Sequence, residues 1–176
     1  MSSVDRTYSY GNRGLGSEEY TSKPFSALVE RIMMKLNHDL MTDFNVCFLN
    51  KYDDQHQHLG WHADEFPGMR EEQPIAVVSF GAEREIWLKD KRGFPCECQF
   101  SAQVSEFGLP PCSKCEGSGW KKNPPNDKQP FNQRISLQRG SLFIMPPGYQ
   151  KTHLHRIPKH DRMCSWRVSL TFRSFV

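Results

Sequence analysis

No run among the 176 residues approaches the roughly 18 consecutive apolar side chains that a membrane-spanning helix requires. The start, Met1-Ser-Ser-Val-Asp-Arg6, lacks a charged segment leading into an apolar one. No secretory leader is expected, and the expected setting is intracellular, cytoplasm or nucleus, where structural disulfides are rare. Nor is one sign of charge in excess: 23 Lys and Arg against 20 Asp and Glu leave a formal net charge of +3. That mild basicity allows a polyanionic partner without requiring one. With 37% hydrophobic residues, the chain has enough for one soluble domain, expected as a monomer.

Ser26 precedes a stretch, 27–40, in which Leu28, Ile32, Met33, Leu36 and Leu40 recur at three- and four-residue spacing. This reads as an amphipathic helix with a serine cap. Residues 45–52, 75–80, 85–88, 135–137, 141–145 and 168–175 are short, β-branched or aromatic segments separated by Gly, Pro or Asp, and read as strands. One helix followed by many short strands implies two sheets packed face to face, or closed as a jelly roll.

The segment 93–133 breaks this pattern. It is rich in Pro, Gly, Ser, Asn and Lys without periodicity, and about forty irregular residues inside a compact domain call for a reason. Four of the six cysteines lie there, as Cys96-Glu-Cys98 and Cys112-Ser-Lys-Cys115. The spacing is close to that by which thiolates clasp tetrahedral zinc, although the first pair has one intervening residue rather than two. A structural zinc is the leading reading, with reduced free cysteines and disulfides as the others. Lys114, Trp120, Lys121, Lys122 and Lys128 mix cations with an aromatic, as on a surface that tracks phosphates and stacks a base. A solvated charged loop is the plainer reading of the same residues. Cys47, alternating with strand residues, reads as a buried core thiol.

The chemistry lies in three short segments. Gly60-Trp61-His62-Ala63-Asp64-Glu65 supplies a His-x-Asp pair, and His155-Arg-Ile-Pro-Lys159 a second imidazole. A His-x-Asp pair alone is commonplace, but two imidazoles and one carboxylate are the ligand set of a facial-triad iron(II) centre, with three positions left open. His153 lies two residues before His155, so on a strand both would point to one face and either could ligate. The third segment, Arg167-Val-Ser-Leu-Thr-Phe-Arg173, carries two guanidiniums, each able to grip a carboxylate by two parallel hydrogen bonds. A co-substrate with two carboxylates, 2-oxoglutarate, fits that pair.

Taken in order, these segments resemble the AlkB family of iron(II)- and 2-oxoglutarate-dependent dioxygenases. Asn50-Lys-Tyr52 looks like the family's Asn-x-Tyr strand, residues 59–65 its metal segment and 74–81 its central strand. Arg139-Gly-Ser-Leu142 looks like a later strand, 155–159 the distal histidine and 167–173 the terminal arginine strand, with Ser169 where the family has Asn. The resemblance implies a mainly β fold with a flanking N-terminal helix, the double-stranded β-helix. It implies iron(II) at His62, Asp64 and His155, and 2-oxoglutarate on Asn50, Tyr52, Arg167, Thr171 and Arg173, with O2 as the other co-substrate. It further implies a short lid over 1–24, with Tyr8 and Tyr10 against a base, and a dioxygenase unit over 25–176 that contains the 93–133 insertion. Glu65 would border the substrate, and Trp61 would be either a wall of the site or a core aromatic. The implied reaction is oxidative demethylation of N-alkylated bases, of the 1-methyladenine and 3-methylcytosine type, in DNA or RNA. Hydroxylation of a carbon-bound methyl of a base or of a protein side chain, or an inactive module that binds nucleic acid or protein, are the alternatives.

Overall fold

The computed structural model describes residues 1–2, 7–10, 18–97, 112–116, 118–121 and 133–176, and for 7–10, 18–20 and 95 the backbone alone. Helix α1 spans Ala27–Leu40, as the apolar spacing predicts. It begins where Ser26, in extended conformation, accepts the Val29 backbone N–H at 3.4 Å. It ends at Met41, whose left-handed φ of 51° turns its own N–H back to the Asn37 carbonyl. The Asn37 side chain then fixes the exit, accepting the Phe44 N–H at 2.7 Å and donating to the Phe44 carbonyl at 3.0 Å. The buried stripe is Val29, Met33 and Leu36, with Ile32 and Leu40 packed beside it. Leu28 departs from the expected stripe and is 67% exposed, because one residue before Val29 is about 100° round the helix.

In chain order the strands are β1 (Thr7–Tyr10), β2 (Glu18–Thr21), β3 (Val46–Tyr52), β4 (Leu59–His62), β5 (Ile75–Gly81) and β6 (Arg84–Asp90). There follow β7 (Phe94–Pro95), β8 (Trp120–Lys121), β9 (Gln133–Leu137), β10 (Leu142–Met145), the one-turn helix α2 (Tyr149–Thr152), β11 (His153–Ile157) and β12 (Arg167–Arg173). Two four-stranded antiparallel sheets result, ordered β10-β5-β12-β3 and β4-β11-β6-β9. The pairs β1-β2 and β7-β8 stand apart as hairpins. The chain crosses between the large sheets at every step from β3 to β12 except one. Between β6 and β9 it stays in the second sheet, with Arg84 opposite Leu137 and Leu88 opposite Gln133. This is the jelly-roll path of the double-stranded β-helix, and the expected 93–133 insertion falls within the one connection whose ends are already neighbours.

Strand β12 sits between β3 and β5, so both of its edges are paired. Its Leu170 and Phe172 join Cys47, Ala76 and Phe44 against α1. Burying such apolar side chains stabilises by about 1.5–3 kcal/mol each, and this layer fixes the register. A slip of one residue would turn the whole set to the other face. Between the sheets, Tyr52, Ile86, Leu88, Leu137 and Ile157 pack together, and Ile75, Val77 and Met145 form a second group. At the outer edge of β3 the Met1 ammonium donates to the Cys47 carbonyl at 2.7 Å, and the Cys47 N–H returns a bond to Met1 at 2.9 Å. The first two residues of the expected lid therefore extend the first sheet.

Candidate active site

Arg167, Ser169, Thr171 and Arg173 occupy alternate positions of β12, so their side chains leave one face, and that face looks toward the second sheet. All four are 1–6% exposed. Pairing with β3 sets Tyr52 beside Arg167 and Asn50 beside Ser169, so the expected co-substrate residues share one interior surface. Gly81 anchors the start of β12: its φ of +85° suits glycine, and a Cβ there would run into the Trp166 carbonyl.

Arg167 donates from Nη2 to the Ser79 hydroxyl at 3.0 Å, and its guanidinium carbon lies 5.4 Å from the Tyr52 ring centre. Its Nε and Nη1 are buried without a hydrogen-bond partner. Burial lowers its pKa from the ordinary value, with Tyr52 acting the other way, yet a guanidinium keeps its charge at any working pH. Ser79 was not singled out in the sequence, although a lone hydroxyl in the apolar run Ile75-Ala-Val-Val-Ser-Phe-Gly81 is a signal.

Across the interior, β4 ends at His62 and β11 places His155 directly opposite, with ring centres 4.1 Å apart. Asp64 follows, 4% exposed, its backbone N–H held by Gln150 Oε1 at 2.9 Å. The ligating atoms of the three lie within 4.8 Å of one another, with His62 Nε2 3.7 Å from Asp64 Oδ1, so one cation could touch all three. The His62 Nδ1–H donates to the Gly60 carbonyl at 2.8 Å, which leaves Nε2 its lone pair for a metal. Burial pushes His155 down to about 3, helped by His62 and Arg173 and opposed by Asp64. It is therefore neutral, the form a metal takes. Burial alone would raise the Asp64 carboxyl, but the charge and hydrogen bond of the Arg173 guanidinium outweigh it and hold it below the usual carboxylate range.

Arg173 joins the two halves of the site. Its Nη2 donates to Asp64 Oδ2 at 2.6 Å, while Nε and Nη1 have no partner. A buried donor left unmade costs about 1–3 kcal/mol, and more on a charged group. Four such guanidinium nitrogens on one interior face are what a dicarboxylate would satisfy. Two imidazoles and an ionised carboxylate beside them suit iron(II).

The other expected residues are distributed as follows. His153 stacks on Tyr149 at 4.3 Å and bonds the Thr152 hydroxyl at 2.7 Å, so His155 alone of the two joins the cluster. Trp61 leaves the face of β4 opposite to His62, where Lys89 and Arg156 lie over its ring at 4.4 and 5.5 Å. Glu65 pairs with Lys91 at 2.5 Å on the wall of a recess of about 500 Å³ that Phe66 and Gln150 also line. The side chains of Tyr8 and Tyr10, and all of Cys98, Lys122 and Lys128, lie outside the described residues. Lys114 and Lys121 are both engaged by Glu97, at 3.2 and 3.1 Å, and Trp120 lies 3.9 Å beneath Arg92. These three are thus bound within the protein itself.

Arg84 also escaped the sequence reading. It is 1% exposed and donates to the carbonyls of Asp54 and Gln57 before β4 and of Pro158 after β11. It ties together the two strands that carry His62 and His155. Flanked by Glu83 and Glu85, it reads in the sequence as surface charge.

The family model for the 2OG-Fe(II) oxygenase superfamily matches residues 3–173. The chain is similar to the DNA oxidative demethylase ALKBH2 of Mus musculus, with 28% identity over 173 residues that cover 95% of this chain and 60% of that protein. Against the DNA oxidative demethylase ALKBH2 of Arabidopsis thaliana the identity is 31% over 130 residues, 74% of this chain and 37% of the relative. Against the alpha-ketoglutarate-dependent dioxygenase alkB homolog 3 of Rattus norvegicus it is 27% over 135 residues, 74% and 35%. The chain spans from 35% to 60% of the length of these relatives. A match over nearly the whole chain, with the fold and the clustered donors, leads to one assignment: the chain belongs to the AlkB family of the 2OG-Fe(II) oxygenase superfamily.

Proposed function

We propose that this chain is an iron(II)- and 2-oxoglutarate-dependent dioxygenase that removes methyl groups from the ring nitrogens of bases in DNA or RNA, of the 1-methyladenine and 3-methylcytosine type. In this reading His62, Asp64 and His155 hold the iron, and Arg167, Arg173 and Thr171, with Asn50 and Tyr52, hold 2-oxoglutarate. The observation that carries it is the pair of buried guanidiniums with unfilled donors, facing two imidazoles and a carboxylate. Iron(II) with 2-oxoglutarate and oxygen supplies the insertion of one oxygen atom into a C–H bond, with succinate and carbon dioxide as co-products. On an N-methyl carbon the resulting hydroxymethyl group leaves as formaldehyde and the base is restored.

The protein's own residues prepare that event. Arg167 has no carboxylate of its own among the described residues, so its fork is free to take the remote carboxylate of the co-substrate, with Ser79 keeping it aimed. Arg173 holds one oxygen of Asp64 and thereby turns the other toward the metal position. The Gly60 carbonyl fixes the His62 tautomer, and Leu88, Ile86 and Tyr52 keep water from the inner wall. Two relatives carry the name DNA oxidative demethylase, which supports nucleic acid as the substrate class and an intracellular site of action. A stacked base cannot reach an interior metal, so the target must be flipped out or single-stranded.

The test is mass spectrometry of single- and double-stranded oligonucleotides carrying 1-methyladenine, 3-methylcytosine or 5-methylcytosine, after incubation with iron(II), 2-oxoglutarate and ascorbate. Loss of the methyl mass with formaldehyde release is expected. Gain of one oxygen on 5-methylcytosine would replace demethylation by hydroxylation of a carbon-bound methyl. Succinate with all oligonucleotides unchanged would overturn the substrate class, and no succinate would overturn the enzyme.

A further inference from the structure

We infer that Cys96, Cys112 and Cys115 form a structural zinc site that fixes the root of the 93–133 insertion beside the mouth of the active site. Their three sulfurs lie within 4.8 Å of one another, with Cys96 and Cys112 3.8 Å apart. A zinc tetrahedron with Zn–S bonds of about 2.3 Å has edges of about 3.8 Å, whereas a disulfide needs about 2.05 Å. None of the three forms a disulfide. Cys96 is 0% and Cys115 6% exposed, so two of the three thiols are withdrawn from solvent.

The backbone is shaped to bring the sulfurs together. The Cys112 carbonyl accepts the N–H groups of Cys115 at 3.2 Å and Glu116 at 2.7 Å, which curls the Cys-x-x-Cys turn. Glu116 and Gly119 then take left-handed φ values of 52° and 75°. Glu116 is a non-glycine residue in that uncommon region, as a turn under external constraint shows. From the facing strand, the Cys96 N–H donates to the Gly119 carbonyl at 2.8 Å and closes the β7-β8 pair. Two strands of two residues do not hold themselves. None of the four apolar clusters of the described residues includes any residue of 91–121. Bonds from three thiolates to one cation supply the missing centre, each thiol losing its proton on binding.

The placement gives the site its consequence. On β6, Leu88 is level with His155 and Asp90 with His153. At about 3.3 Å per residue, β6 ends about 7 Å from the level of His155. Asp90 holds Arg92 at 2.6 Å, and Arg92 covers Trp120 at 3.9 Å, so the metal-fixed hairpin is locked to the end of β6.

The test uses the full chain and needs no base substrate, so it stands or falls apart from the proposed reaction. Elemental analysis of protein purified without chelator should give about one zinc per chain. His62→Ala should keep that zinc, and Cys112→Ser and Cys115→Ser should each lose it while still binding iron. Should the serine variants fail to fold, cobalt(II) loading of the parent and of His62→Ala decides: both should show a thiolate-to-cobalt charge-transfer band in the near ultraviolet. A folded parent free of zinc, without that band after cobalt loading, overturns the site, as does zinc that disappears with His62.

Discussion

At the scale of single residues, Arg167 combines full burial with a charge and two unmade donors, which costs stability until an anion arrives. Arg167→Met keeps much of the volume and removes the charge. It should raise the KM for 2-oxoglutarate about 10–100-fold, the worth of one or two hydrogen bonds to a charged group, and leave urea stability unchanged or higher. Succinate formation against 2-oxoglutarate concentration measures the first effect; an equal loss in oligonucleotide KM would remove the clamp role. Cys47 illustrates the opposite outcome of burial. Desolvation pushes its thiol up to about 12 against the pull of the Met1 ammonium and Arg173, so at pH 8 it stays protonated and inert. Iodoacetamide on the native protein should label the half-buried Cys164 and spare Cys47, as peptide mapping would show.

At the scale of elements, β12 divides stability from function by side-chain parity. Phe172→Ala, on the α1 face, should cost about 3–5 kcal/mol in urea unfolding, with 2-oxoglutarate affinity of the folded fraction unchanged. Lost affinity without lost stability would reverse the assignment of faces. The alternation itself was legible in Arg-Val-Ser-Leu-Thr-Phe-Arg, as was α1 from its spacing. Alternation, however, normally marks one wet face, and nothing local says that the polar face of a central strand is turned inward. Strand β4 was harder still: Leu-Gly-Trp-His has little strand propensity and is extended because β11 pairs with it. Arg84, Gln150 and the Asp64–Arg173 pair depend on contacts between segments up to 109 residues apart, which no window on the sequence contains.

At the scale of the whole molecule, the one connection between β3 and β12 that stays within a large sheet is also where the sequence carries its longest stretch without periodicity. Strands β6 and β9 pair without help from the insertion, so replacing residues 92–131 by a short turn should leave a folded barrel whose thermal shift with 2-oxoglutarate matches the parent. Loss of that shift would make the insertion part of the co-substrate site. The two sheets are also fastened to each other where Asp64 meets Arg173, since one follows β4 and the other ends β12. Asp64→Ala therefore strands the buried Arg173 cation as well as deleting a proposed metal donor, and should lower stability by about 3–5 kcal/mol in urea. His62→Ala, whose ring bonds only its own strand's Gly60 carbonyl among the hydrogen bonds described, should melt close to the parent. The choice of inactive control thus decides what a binding experiment reports. A silenced enzyme made at His62 remains a faithful decoy for nucleic acid, while one made at Asp64 measures a barrel already coming apart at its seam.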